Sequence, residues 1–276
     1  MPRHPRKPRK PRHLHLDPFA GIAGDMFIGA LIDLGAPLAA LEDAFRPLPI
    51  ALPYRLAAEP TTRHAIRGID FKVMCDVPCA MSNVSEFTPV APHSHRTSHI
   101  AHRTSHSHTG PDDIFAMIDA LVGPPRLRDR ARRIVRLLAD AEAKVHGVPA
   151  DRVHFHEVGA VDSIIDMLGA AVLLEQLGID TLSSTSLPIG HGWVKCEHGL
   201  MPLPAPATAE LLAGVPHHGV DRRGETVTPT GAALVKALCQ TFGPTPPMQV
   251  EKIGYGAGDR DDADVPNLLR VFMGSL

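Results

Sequence analysis

The chain has 276 residues, 44% of them hydrophobic and 4% aromatic, with a formal net charge of -2, which is enough apolar content for one large or two moderate cores. No apolar run approaches the roughly 20 residues of a membrane span, and the N-terminus has no apolar signal core, so a soluble cytoplasmic protein without a membrane partner is expected. Four cysteines, Cys75, Cys79, Cys196 and Cys239, include one C-x-x-x-C pair and no zinc-finger spacing, which suits reduced thiols better than a disulfide framework.

The near-neutral total hides an asymmetry. Residues 1–12 hold six of the 28 Lys and Arg and no acid, leaving 22 bases against 30 acids, or -8, for the rest of the chain. The basic, Pro-rich tail reads as solvated disorder, and the acidic body argues against a nucleic-acid face while remaining compatible with cation binding. The expected organisation is that tail followed by a single α/β domain over 13–276, interrupted by an insertion at about 80–110.

Taken in order, His13 to Asp17 alternates as a strand and stops at Pro18. The stretch F-A-G-I-A-G-D follows, and Met26 to Leu34 has helical periodicity ended by Gly35. A strand, a glycine loop and a helix N-terminus make the geometry that cradles phosphate, although a G-x-x-G is weak by itself. Asp25 in the first helical turn either complements the helix dipole or joins Asp17 in holding a cation. Leu38 to Phe45 predicts a short helix within a Pro- and Ala-rich region, and Ile66 to Val77 predicts a strand. From Ala80 to Gly110 the composition turns to Ser, Thr, Pro and His, the pattern of a disordered surface loop. It carries His93, His95, His99, His102, His106 and His108, six imidazoles in sixteen residues. This is either a polar linker or a metal-capture segment for nickel, copper or zinc, and the clustering favours capture.

Asp112 to Val122 and Arg126 to His146 predict two helices, the second with an apolar stripe from Leu127 to Val145 and a stop at Gly147. His146 in its last turn needs no functional role. In R-V-H-F-H-E-V-G-A-V-D-S-I-I-D, residues 153–158 alternate as a short strand, and the pattern becomes helical from Ser163. His154 and His156 then share one face beside Glu157, more polarity than a core needs, and the pair reads as metal ligands or proton carriers. Ser163 with Asp166 also resembles a capping box, which would give Asp166 a purely structural role. Residues 8–34 and 153–177 share a plan, including G-D-M and I-D-M, which suggests two related βα units. Further on, Thr181 to Leu187 is strand-like, and G-H-G-W-V-K-C-E-H-G-L-M-P-L-P predicts a hairpin flanked by His191 and His198. Pro206 to Ala213 is a short helix, and T-V-T-P-T-G-A-A-L predicts a helix start capped by Thr228 or Thr230. The glycine-rich, then acidic G-Y-G-A-G-D-R-D-D-A-D reads as either a cation-binding loop or a solvated turn, and the turn is favoured. The fold class expected from all this is α/β, with a mixed or parallel sheet and flanking helices.

Several long motifs coincide in order: L-D-P-F-A-G-I-A-G-D-M, the His-rich insertion, A-E-A-K-V-H-G, V-H-F-H-E-V-G-A-V-D-S-I-I-D, P-L-P-A-P-A-T-A-E-L-L, T-P-T-G-A-A-L and G-Y-G-A-G. Together they resemble the LarC family over roughly Leu14 to Phe272. The resemblance implies a CTP-dependent cyclometallase that places Ni(2+) into pyridinium-3,5-bisthiocarboxylic acid mononucleotide, making the nickel-pincer cofactor of a lactate racemase-type apoenzyme. It implies Mn(2+) or Mg(2+) with the CTP and a C-terminal domain associated with CTP, which this chain would meet in trans. A homo-oligomer is a further candidate partner. In that setting Glu157, His156 and Asp162 are the catalytic candidates; Asp17, Asp25, His154 and His156 would hold metal; and Gly21, Gly24, Thr228, Thr230 and Gly231 would take the nucleotide phosphate. Two rivals remain: a His-rich nickel storage or delivery protein, and a metal-dependent hydrolase. No G-x-x-x-x-G-K-[ST] P-loop occurs anywhere in the sequence.

Overall fold

A computed structural model describes residues 10–50, 53–75, 110–153, 155, 160–196, 199–260 and 262–276. Strand β1 (His13–Asp17) lies inside a sheet because its two faces differ in chemistry. Leu14 and Leu16 are wholly buried in the core, while His13 and His15 point to the opposite face, as the period of two requires. β4 (Thr181–Ser184) pairs with β1 in parallel, matching Leu14 with Leu182. β11 (Leu268–Ser275) pairs with its other side antiparallel, matching Leu16 with Val271.

The sheet continues through β10 (Gln249–Ala257), β3 (Ile66–Cys75) and β2 (Tyr54–Arg63) on one side, and through β9 (Thr241–Phe242) on the other. The order is β2-β3-β10-β11-β1-β4-β9. β1, β3, β4, β9 and β10 run one way and β2 and β11 the other, so the sheet is mixed, in line with the sequence reading. β5 (Leu187–His191) pairs in parallel with β8 (His217–Arg223), and β6 (Trp193–Cys196) with β7 (Gly199–Pro202) forms the expected hairpin.

The helices α1 (Gly24–Asp33), α2 (Ala39–Phe45), α3 (Pro111–Ala120), α4 (Pro125–His146), α5 (Val161–Gln176), α6 (Pro206–Leu212) and α7 (Pro229–Leu238) share one continuous core with the sheet. The stripe of α4, Leu127, Ala131, Ile134, Val135 and Leu138, is buried against α5 and α7, and Gly147 ends the helix in the left-handed conformation at φ 64°. α1 lies directly on β10. Gly254 faces the Ala30 carbonyl, and Gly256 faces the Met26 carbonyl so closely that no side-chain carbon fits between strand and helix. G-Y-G-A-G is therefore the end of a buried strand, and the solvated turn expected there is corrected. Among the described residues no helix is long and apolar enough to cross a membrane.

Three other expectations change. The segment Thr181 to Leu187 is divided between β4 and β5. The Pro- and Ala-rich region contains β2, a ten-residue edge strand. The second βα unit is not a copy of the first, because Ala150–Arg152 before α5 is a 3-10 turn and neither Val153 nor Phe155 is in a strand; both are buried core residues instead. Residues 1–9 of the tail and the His-rich insertion lie outside the described residues, whereas Arg12 at the end of the tail is bound to Asp180 and the Leu177 carbonyl.

α5 links the two edges of the sheet. It begins beside the start of α1, where Asp166 meets Gly24, and runs to the turn before β4, where the Asp180 N–H donates to the Arg12 carbonyl at 2.8 Å.

Candidate functional site

The carboxyl edge of β1 opens into the loop 18–23, which the chain locks to a distant segment. Ile22 N–H donates to the Thr226 carbonyl at 2.9 Å, and Thr228 N–H returns to the Ile22 carbonyl at 3.1 Å. Gly21 sits at φ +117° with the Thr226 backbone where a side chain would be, and Gly231 likewise faces the Ile22 carbonyl. Their N–H groups are also committed, Gly21 to the Pro18 carbonyl at 2.9 Å and Gly231 to the Thr228 hydroxyl at 3.1 Å. Thr228 is thus the cap of α7, and Thr230 is buried in its first turn. These glycines and threonines hold two loops together; the Gly21 and Gly231 amides are not an open phosphate cradle.

The third glycine, Gly24, makes room for an acid. A side-chain carbon there would lie 2.6 Å from Cβ and Cγ of Asp166, so only glycine lets the first turns of α1 and α5 approach. Asp166 takes the backbone N–H of Asp25 into its carboxylate, while its Oδ1 is buried with no partner among the described residues. Asp25 accepts the N–H of Met26 at 2.7 Å. Asp162, one turn before Asp166 on α5, is exposed and accepts the N–H of Ser163 at 2.7 Å. The capping box expected of Ser163 and Asp166 is not formed. The cap of α5 is Ala160, and Asp166 turns across to α1.

Burial dominates the electrostatics. It pushes the Asp25 carboxyl up to about 6, helped by the charges of Asp70 and Asp162 and opposed by the Met26 N–H and Lys72. Asp166 is raised well above its ordinary range, first by burial and then by Asp25 and Asp162. Lys72 on β3 reaches Asp70 at 3.1 Å and pairs with Asp259 just beyond β10, so the cation that acts on Asp25 is already engaged by acids. Burial and neighbouring negative charge thus raise both carboxyls and favour their protonated forms relative to an exposed aspartate. Such a pair can take up a proton or trade it for a cation.

The sequence candidates divide. Asp25, Asp162 and Gly24 lie together in this acid pocket. Asp17 does not join them as a ligand, for its Oδ2 accepts two bonds from Arg270 at 2.9 and 2.5 Å, under a guanidinium that also lies over Phe19 and Phe272. His191 makes an exposed pair with Asp221 at 3.1 Å. His154, His156, Glu157, His198 and the six loop histidines His93, His95, His99, His102, His106 and His108 lie outside the described residues. Among the described residues no three His, Cys, Asp or Glu side chains stand together as a metal-binding set. Sequence reasoning left Asp166 between a capping role and the acids of the junction, touched Asp259 only within the acidic stretch after G-Y-G-A-G, and missed Asp70 and Lys72; D-x-K in β3 puts Asp70 and Lys72 on one face of the strand, a local sign of their partnership.

The chain has close relatives in sequence. A chain of Geobacter sulfurreducens is 47% identical over 266 residues, covering 95% of this chain and 61% of its own length, and one of Geotalea daltonii is 46% identical over 262 residues, covering 95% and 60%; both carry the nickel-insertion designation. A third, from Staphylococcus epidermidis, is named pyridinium-3,5-bisthiocarboxylic acid mononucleotide nickel insertion protein and is 41% identical over 258 residues, 94% of this chain and 58% of its own. The chain therefore spans about three fifths of the length of the curated relatives it matches. No solved structure matches it. The profile of the nickel insertion proteins runs from residue 14 to residue 275, from the first buried leucine of β1 to the last residue of β11, and the chain belongs to that family.

Proposed function

We propose that this chain inserts nickel into pyridinium-3,5-bisthiocarboxylic acid mononucleotide, with the acid pocket at the starts of α1 and α5 as the place where protons are exchanged for metal. The observation that carries the reading is the pair Asp25 and Asp166, joined through the Asp25 N–H and both raised by burial, in a chain whose Staphylococcus epidermidis relative bears the name of that substrate. A crevice outside the carboxyl ends of parallel strands is where α/β sheets place their ligands.

The chemistry requires a base. Two thiocarboxylates supply soft sulfur donors to divalent nickel, and a carbon–nickel bond forms when the ring carbon between them gives up its proton. The electron pair of the broken C–H bond becomes the Ni–C bond, nickel stays divalent, and the proton passes to a carboxylate. The ionised member of the Asp25 and Asp166 pair suits that step, because its raised pKa makes it a stronger base than an exposed aspartate. Asp162 at the mouth, together with His154, His156 and Glu157, which precede α5 in sequence, are assigned to receiving the ion and presenting it. Few protein ligands are wanted here, since nickel is cargo to be handed over. CTP with Mn(2+) or Mg(2+) belongs to the reading through the family resemblance. Carboxylates such as Asp25 and Asp162 fit the hard metal, whereas the occupied amides of Gly21 and Gly231 do not fit the phosphates.

The test is mass spectrometry of the mononucleotide after incubation with the full chain and nickel(II), with and without CTP and magnesium. A nickel-containing product with loss of the ring proton is expected. Nickel bound by the protein while the mononucleotide stays unchanged in every condition would instead establish the storage or delivery reading.

A further inference from the structure

At the opposite edge of the sheet, where β1 and β4 begin, the first half of α4 borders a cavity of about 350 Å³ lined by Arg126, Asp129, Arg130, Arg133, Asp180 and Gln240. The three arginines recur at intervals of four and three, which puts them on one face of the helix. This is the far end of α5 from the acid pocket: Asp162 and Glu175 are thirteen residues apart on that helix, about 20 Å at 1.5 Å per residue.

The arginines are not equally committed. Arg126 holds both carboxylate oxygens of Glu175, at 2.5 and 2.9 Å, and Oδ1 of Asp180 at 3.1 Å. The other Asp180 oxygen takes the backbone N–H of Arg12 at 2.7 Å, so the carboxylate of Asp180 is fully engaged. Arg130 is 6% exposed. Its Nη2 donates to the Ile179 carbonyl at 2.6 Å, but its buried Nη1 has no partner among the described residues. Arg133 is exposed and makes no hydrogen bond or ion pair among the described residues, and the same holds for Asp129. A guanidinium cannot shed its charge to escape burial, and a buried donor left without a protein partner takes water or another acceptor from outside.

We propose that this cavity binds a small phosphate ester, with Arg130 Nη1 and the Arg133 guanidinium on the phosphate oxygens and Asp129 accepting hydroxyls of the ester group. Two uncommitted guanidinium charges suit the dianion of a phosphate better than a monoanionic carboxylate, and their forked geometry matches phosphate oxygens. The volume lies at the lower end of the roughly 300–1,000 Å³ of small-molecule sites, more than a bare ion needs. The site is separate from the acid pocket and does not depend on the nickel reading.

Calorimetry on the full chain, in EDTA so that no divalent ion bridges the probe to the acid pocket, compares ribose 5-phosphate, inorganic phosphate and acetate. Saturable binding is expected in the order ribose 5-phosphate, phosphate, acetate. Arg133→Glu, a change at an exposed position, should weaken ribose 5-phosphate at least tenfold with the melting temperature unchanged, and Arg130→Gln should abolish its binding if that variant folds. Acetate binding as tightly as phosphate, phosphate binding as tightly as ribose 5-phosphate, or Arg133→Glu binding as wild type does would each overturn the assignment.

Discussion

The backbone N–H of Asp25 donates to the carboxylate of Asp166, so α1 and α5 meet start to start across a shared acid, with Gly24 as the space that admits it. Helix N-termini favour negative charge by about 0.3–1 kcal/mol, yet both carboxyls are raised because burial and mutual repulsion outweigh that gain. The ionised carboxyls thus carry an electrostatic cost in the folded chain.

That cost has a sign in pH. Asp25 titrates at about 6 in the folded chain against 3.8 for an ordinary aspartate, and Asp166 is shifted the same way. Through the window from pH 4 to 6 the folded state holds more protons than the unfolded one, so this contribution to stability falls as pH rises and stays low above it. Asp166→Asn removes the repulsion and should stabilise the protein by roughly 1–3 kcal/mol at pH 8, with the advantage gone by pH 4. Urea titrations at the two pH values decide it; a variant no more stable than wild type at pH 8 refutes the strained pair.

The imidazoles of β1 pull in the other direction. Ser183 Oγ lies 2.8 Å from both His13 Nε2 and His15 Nδ1, and His13 Nδ1 meets Thr181 Oγ1 at 2.8 Å. One hydroxyl has one proton, so Ser183 donates to at most one ring. Burial holds both histidines below their usual 6.5. The unfolded chain therefore binds more protons below that value, and stability is lost as pH falls beneath about 6.5. Ser183→Ala strands a nitrogen on each ring and should cost about 1–3 kcal/mol at pH 7. A loss below about 0.5 kcal/mol in chemical denaturation would show that the chain of bonds contributes little.

The elements readable in advance were those whose signal is local. The stripe of α4 and its stop at Gly147 carry a helical period over 22 residues, and β1 alternates cleanly before Pro18. β2 could not be read because its inward face, Tyr54, Leu56 and Ala58, is only partly buried and its Pro60 mimics a loop. The site follows the same division. Asp25 and Asp162 announce themselves beside helix starts, but Asp70 and Asp259 reach the pocket only because β3 lies parallel to β10, with Asp70 opposite Ala257. Asp17 resembled a ligand because its partner Arg270 lies 253 residues away, beyond any local pattern.

Close backbone contact between α1 and β10 is a requirement of the fold. Gly256 leaves no room for a methyl group against the Met26 carbonyl, and backbone on both sides cannot yield as a flexible side chain would. Gly256→Ala should therefore cost about 3 kcal/mol or more, and because α1 presents Asp25, proton uptake by the acid pair should shift with it. Gly147→Ala is the control: nothing lies within 4 Å of its added carbon, and only the strain of a left-handed residue is expected, about 1 kcal/mol. Equal losses in the two variants would dismiss the packing account.

The His-rich segment carries its own prediction, made on sequence grounds. Residues 94–108 contain five of its six histidines and almost no aliphatic side chain, too little apolar surface to join a core. Deleting them should lower the number of nickel ions bound per chain while leaving the melting temperature of the metal-free protein unchanged. Calorimetry that finds the same nickel stoichiometry in the deletion variant removes metal capture from the loop.

Insertion itself separates the acid pair from the histidines that precede it in sequence. If the pair is the base and His156 with Glu157 present the ion, the two kinds of variant fail differently. Asp25→Asn and Asp166→Asn should still bind nickel but leave the ring proton of the mononucleotide in place, a loss of product of at least a hundredfold for a missing general base. His156→Ala should instead raise the nickel concentration needed for half-maximal product, with the limiting yield less affected. Glu157→Gln distinguishes the remaining ambiguity: a loss of product as large as that of Asp166→Asn, at saturating nickel, would make Glu157 the base and reduce the buried pair to a holding site. Product formed by Asp25→Asn and Asp166→Asn at the wild-type rate would remove the acid pocket from the chemistry altogether.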